Sequence, residues 1–217
     1  MTKIRAIRYK TPSEVTTALD RFSPRYLKDW DDWLAAPAAA RPELFGRILR
    51  RWQATRPLAM RRVASEAKHG PPFLDDLFEL VYSPTGPIAV LGGLTVLNIG
   101  DRTDRQNTAL TDMWDLFSGL TITKAASCVG ISKAVLLLTD GRIGPALDSQ
   151  VRTWLGISRP TTAAAWVGVL EAVGNDIAAF ESANGSLRDA VPSRFAHLAY
   201  GRLYDMVFGP GASAAPD

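Results

Sequence analysis

Helix-start signals recur along this 217-residue chain, and after them come apolar residues at intervals of three and four, which constrains the fold more than any other feature. Thr11-Pro12-Ser13-Glu14 reads as an N-cap, a proline at the first helical position and a capping-box glutamate. Ser23-Pro24 opens a second helix carrying Tyr26, Leu27, Trp30, Trp33 and Leu34, and Arg41-Pro42-Glu43 starts a third. Helices are predicted over 12–21, 24–36, 42–54, 57–68 and 72–82. A further one, capped near Thr103 or Asp104 and ended by Gly119, places Leu110, Met113, Trp114 and Phe117 on one stripe. Others are predicted over 132–139, 148–155, 160–182 and 193–208. The expected fold class is mainly all-α.

Residues 87–99 break the pattern. They are apolar throughout and β-branched around Gly92-Gly93, which fits a short β-hairpin or a buried helix. There is no internal repeat and no long polar linker, so residues 1–209 are expected to form one compact helical domain. The tail 210–217 has nothing to bury and is expected to be disordered.

Hydrophobic residues make up 47% of the chain, enough to build a core and to set aside disordered and fibrous classes. The single Cys128 has no partner for a disulfide and excludes a cysteine-held zinc site or iron–sulfur cluster. Neither a metal site nor a cofactor is expected. No apolar run follows the charges of Lys3 and Arg5, and no stretch reads as a membrane span, so a cytoplasmic protein without a membrane partner is expected.

Lys and Arg number 25 against 22 Asp and Glu, a net of +3. The excess is concentrated: residues 41–68 hold eight basic side chains against Glu43 and Glu66, a local +6 that leaves −3 for the remainder. Arg47, Arg50 and Arg51 can share one helical surface with Trp52 nearby, as a phosphate-facing stripe requires. The same charges also serve simply to solvate amphipathic helices whose apolar sides are Leu44, Ile48, Leu49, Met60 and Val63.

The segment 122–157 carries the chemical signals. A short helical piece containing Lys124 leads into Cys128-Val129-Gly130, and the apolar Ala134-Val135-Leu136-Leu137-Leu138 follows at once. Two helices meeting across so short a turn present backbone N–H groups beside a glycine, an arrangement suited to phosphate. Lys124 and Lys133 flank it. Further on, Asp148 stands where the next helix begins, which is also the position of an ordinary N-cap.

This order of elements resembles the helix-hairpin-helix DNA glycosylase superfamily. In that family a Val-Gly hairpin grips the DNA backbone and an aspartate about twenty residues on is catalytic. The resemblance covers about 35 residues, matching Val129-Gly130 to the hairpin and Asp148 to the catalytic aspartate, with Val151 and Arg152 following. Cys128 replaces a hairpin glycine, Ala126-Ser127 the usual Leu-Pro, and Asp148 lies 18 positions after Gly130. Members that also cleave the strand carry a lysine two residues after the hairpin glycine; Ser132 holds that position here and Lys133 the next. The resemblance implies a two-lobed helical enzyme without a cluster, DNA as partner, and a flipped base. Asp148 would stabilise the sugar cation or activate water, and Lys133 would be an alternative Schiff-base nucleophile. DNA contacts would fall to Val129, Gly130, Ser132, Lys124, Arg47, Arg50, Arg51 and Arg152. Trp114, Trp52 or Tyr82 could stack on the base, or pack in the core.

Two other readings use the same residues. One is a non-catalytic helix-hairpin-helix DNA-binding protein, the other a helical interaction protein with no nucleic-acid role. His69 and His197 lack metal-ligand spacing. Cys128 reads as a small buried hydrophobe. Asp75-Asp76, Asp29-Asp31-Asp32 and the Arg194, Arg202, Tyr204 and Asp205 set of the last helix read as solvated faces.

Overall fold

The computed structural model describes Ile4 and residues 7–54, 74–118 and 126–209. Helix α1 (Pro12–Arg21) starts on the capping box: Thr11 Oγ1 accepts from the Glu14 N–H, and the Glu14 carboxylate accepts from the Thr11 N–H at 2.7 Å. Helix α2 (Pro24–Ala35) buries Trp30 and Trp33, and α3 (Arg41–Arg51) buries Leu44, Phe45, Ile48 and Leu49, as their spacing predicts. Helix α4 (Leu74–Tyr82) follows. The helix predicted over 57–68 lies outside the described residues, as do Gly119, Lys124, His69 and the tail 210–217.

The β-hairpin reading of 87–99 is corrected: among the described residues there is no strand. The segment forms the short helix α5 (Pro87–Val90), then turns, then a 3-10 turn Ile99–Asp101. Proline at a helix start favours the first turn. What replaces strand pairing is a side chain. The Arg142 guanidinium donates to the carbonyls of Leu91, Gly92 and Leu94 at 2.7–3.0 Å, and the Val96 N–H donates to Arg142 O at 2.9 Å. The backbone groups of an apolar run are thus satisfied without a ladder.

Helix α6 (Asp104–Ser118) carries a second capping box, between Thr103 and Gln106, and buries the predicted stripe. Helix α7 (Cys128–Leu138) begins four residues before the predicted start, so that Val129 and Gly130 fall in its first turn. Then come α8 (Ser149–Leu155) and α9 (Ala163–Asn184). The predicted last helix, 193–208, is a 3-10 turn Ser193–Phe195 followed by α10 (Tyr200–Phe208). At the interruption Arg188 donates to the carbonyls of Ala196 and Leu198 at 3.1 and 2.7 Å, satisfying them where no continuous helix does.

The buried apolar side chains form one connected cluster running from Ile4 to Phe208. Helix α7 is its centre, packed against α3 and α6. Ile131, Val135, Leu136, Leu137 and Leu138 are all buried, each contributing about 2 kcal/mol of transfer free energy before entropy is charged. Helix α9 packs on α6 and on the 3-10 turn Ile7–Tyr9, while α10 packs on α1 and α8. Contrary to the sequence reading, α9 is long and apolar enough to cross a membrane, and 56% of its most apolar window is buried inside the molecule.

Candidate active site

Lys133 is the one basic side chain of α7, on an otherwise apolar or small-residue helix, and it is only 12% exposed. Its Nζ donates to the backbone carbonyl of Trp52, just past the end of α3, at 2.8 Å. The Asp148 carboxylate lies 3.9 Å away. Burial lowers the Lys133 pKa, the negative charges of Asp148 and Asp205 oppose that, and Arg202 adds to it. An amine in such a place loses its proton more readily than a surface lysine.

Asp148 divides its work between two oxygens. Oδ1 accepts from the Val151 N–H at 3.0 Å and caps α8, while Oδ2 faces Lys133. Asp148 is thus the N-cap of α8 and at the same time faces the Lys133 amine. The chain leading to Asp148 is fixed on three sides. Leu147 N–H donates to Ser132 Oγ at 2.8 Å, Ala146 N–H donates to Asp205 Oδ1 at 3.1 Å, and Arg152 Nε donates to Leu147 O at 3.2 Å. Ser132 is thereby buried as a brace on the approach to Asp148.

Gly130 lets α3 and α7 approach closely: a Cβ there would lie 2.9 Å from Ala54 O. The carbonyl end of α3 thus sits against the amide end of α7, a favourable dipole arrangement. Val129 is half-buried beside it. Burial pushes the Cys128 thiol up, against the opposing charges of Arg152 and Arg159, so Cys128 is an apolar filler as expected.

Of the basic stripe, Arg47 is exposed and Arg50 half-buried, its Nε donating to Gly46 O at 3.2 Å. Arg51 is drawn inward to Asp29, whose other oxygen accepts from Trp52 Nε1 at 2.9 Å. Asp29 is buried, which corrects its assignment to a solvated face. Trp52 and Trp114 are buried, Trp52 stacked on Trp30 and Trp114 against Trp166, while Tyr82 donates to Leu138 O at 3.2 Å.

No family model, curated protein or solved structure matches the chain.

The last helix brings in what the sequence reading assigned to solvent. Arg202, Tyr204 and Asp205 are buried. Arg202 Nη1 pairs with Asp205 Oδ2 at 2.5 Å, and its guanidinium lies over Phe22, Trp30 and Trp52 at 4.9, 4.7 and 5.6 Å from the ring centroids. Burial pushes the Asp205 carboxyl up to about 6, with Arg202 and Lys133 opposing and Asp148 reinforcing the rise. Tyr204 donates to the equally buried Asp176 at 2.7 Å. The signal was present: outside these three, α10 is Gly201, Leu203, Met206, Val207 and Phe208 after Tyr200, with no other group to face water.

Among the described residues no cluster of side chains is suited to a metal. A groove of about 1000 Å³ runs between α9 and the 3-10 turn Ile7–Tyr9, lined by Arg8, Tyr9, Arg159 and Asn175 among others; neither Lys133 nor Asp148 lines it.

Proposed function

We propose that the chain is a DNA N-glycosylase that excises a damaged or modified base, with Asp148 and Lys133 as its reacting groups. The observation that carries the reading is the meeting of a mostly buried amine and a carboxylate 3.9 Å apart at the junction of α7 and α8. Breaking a base–sugar bond sends the bonding electrons out with the base and leaves positive charge on the sugar. A fixed carboxylate stabilises that charge and accepts a proton from the attacking nucleophile. If water attacks, an abasic site results. If the neutral Lys133 amine attacks C1′, a covalent imine forms after the amine gives up its protons, and elimination then cuts the strand on the 3′ side. The lowered pKa of Lys133 favours the second route. Arg152 and Arg159, close enough to act on Cys128 at the start of α7, supply positive charge for the phosphates beside this junction. The base would leave the stack to reach it.

The test is incubation with duplexes bearing a broad panel of damaged and hypermodified bases, followed by alkaline cleavage of abasic sites and by borohydride reduction. Excision that Asp148→Asn abolishes supports the reading, and absence of abasic sites across the panel refutes it. A borohydride-stable adduct lost in Lys133→Gln identifies the amine route; excision without an adduct leaves the water route.

A further inference from the structure

We propose that Asp205, on the last helix, is a positioning residue of the Lys133 and Asp148 pair: it holds the chain that presents Asp148 and sets the charge around the Lys133 amine. The inference rests on the glycosylase reading for its catalytic meaning, but its physical content concerns three side chains and is open to direct measurement.

Asp205 reaches the pair from a third element. Its Oδ1 accepts the Ala146 N–H at 3.1 Å, two residues before Asp148, and its Oδ2 receives Arg202 Nη1 at 2.5 Å. Asp205 is 6% exposed and Arg202 1% exposed, so water screens neither charge. The charged groups acting on Asp205 are Arg202 on its own helix, Lys133 on α7 and Asp148 at the start of α8. Asp29 and Asp31 of α2 act in turn on Arg202. Isolated burial of an arginine is costly, and Nε and Nη2 of Arg202 have no hydrogen-bond partner. The three aromatic faces and the single carboxylate therefore carry that charge. The helix is locked to the same loop by backbone: Arg202 N–H donates to Gly141 O at 3.0 Å, and a Cβ on Gly201 would fall 2.6 Å from Gly141 O. Helix α10 is thus fastened to the 141–147 segment at both ends, with Asp205 nearest the reacting groups.

The experiment uses the full chain. In the wild-type protein, the Ala146 amide and the Lys133 Cε resonance are followed by NMR against pH; both are expected to move with a common midpoint near 6, as Asp205 loses its proton. Absence of a shared transition overturns the proposal, whatever any variant does. Asp205→Asn keeps an acceptor for Ala146 and removes the charge. Competitive acetylation of Lys133 at pH 7, read by mass spectrometry, should then rise about threefold or more, the change that half a pKa unit gives. Asp205→Glu should restore the wild-type rate. Unchanged acetylation in a folded Asp205→Asn protein would equally sink the idea. Asp205→Ala, which also frees Ala146, should lower kcat for excision about tenfold with KM little changed. Failure of the wild type to excise any base removes the glycosylase reading alone, since the titration and the acetylation still judge Asp205.

Discussion

Asp148 serves folding with one oxygen and faces an amine with the other, so its two duties separate by substitution. Asparagine caps helices about as well as aspartate, whereas alanine costs about 1 kcal/mol. Asp148→Asn should therefore melt within about 0.5 kcal/mol of the wild type while excision falls by about 10²-fold or more. Asp148→Ala should lose both stability and activity. Thermal melts beside single-turnover excision assays distinguish them, and a large loss of stability in the asparagine variant would show that the carboxylate is mainly structural. Lys133 makes a prediction of opposite sign in pH. Burial lowers its pKa from the ordinary 10.5, so the reactive neutral amine grows in as pH rises with a midpoint below that of an ordinary lysine. Borohydride trapping on an abasic duplex should accordingly increase with pH, with a midpoint below that of an ordinary lysine. In Asp148→Asn, where the carboxylate no longer holds the ammonium, the same curve should move to lower pH. A midpoint no lower than the ordinary 10.5 would mean Lys133 is an ordinary lysine. These two residues were singled out by the resemblance of their segment to the helix-hairpin-helix family, which rests on residues near each other in the chain. Asp205 could not, because it reaches the segment through a hydrogen bond to Ala146, 59 positions away, that no periodicity encodes.

Helix boundaries were legible where a local side-chain bond makes them, and misread where the deciding group is remote. The capping boxes at Thr11 and Thr103 place α1 and α6 from four residues each. The turns of 87–99 are held by Arg142, some fifty positions on, and the break before α10 by Arg188, so local patterns mislead there. Start and end of α7 show the same division. Its apolar run is plain in the sequence, but its early start depends on α3 ending beside it, with Gly130 the point of contact. Gly130→Ala would push a methyl to 2.9 Å from Ala54 O, a backbone atom with little room to yield, and should cost about 1–3 kcal/mol. Gly168, within α9, has nothing within 4 Å of an added Cβ, and Gly168→Ala should stabilise by about 0.5–1 kcal/mol through helix propensity. Urea melts of the two variants side by side check the contrast. Opposite expectations from the same substitution make it a test of the α3 and α7 packing itself.

At the scale of the whole molecule, the question is where a net +3 is presented. The uniform stripe of Arg47, Arg50 and Arg51 is divided by the fold: Arg51 is neutralised by buried Asp29, while Arg47 remains exposed and Arg50 half-buried. Arg202, too, is withdrawn into the core with Asp205. Arg152, which holds Leu147 O beside Asp148, and Arg159 both act electrostatically on Cys128 at the start of α7. Charge count along the sequence therefore overstated the surface over residues 41–54 and understated it around α8. Duplex binding should weaken steeply with salt, log K against log salt falling with a slope of about −0.9 per phosphate neutralised. Arg152→Ala and Arg159→Ala should each reduce that slope by about one contact and weaken binding on every sequence alike, since phosphate contacts carry no base information. Arg51→Ala should leave the slope unchanged and instead destabilise the fold by removing the partner of a buried carboxylate. Filter binding across a salt series gives the slope, and a melt of the same proteins gives the stability. A slope that responds to Arg51 and not to Arg152 would put the DNA on the α2 and α3 side, away from the amine and carboxylate, and would leave the binding and the proposed chemistry on different faces.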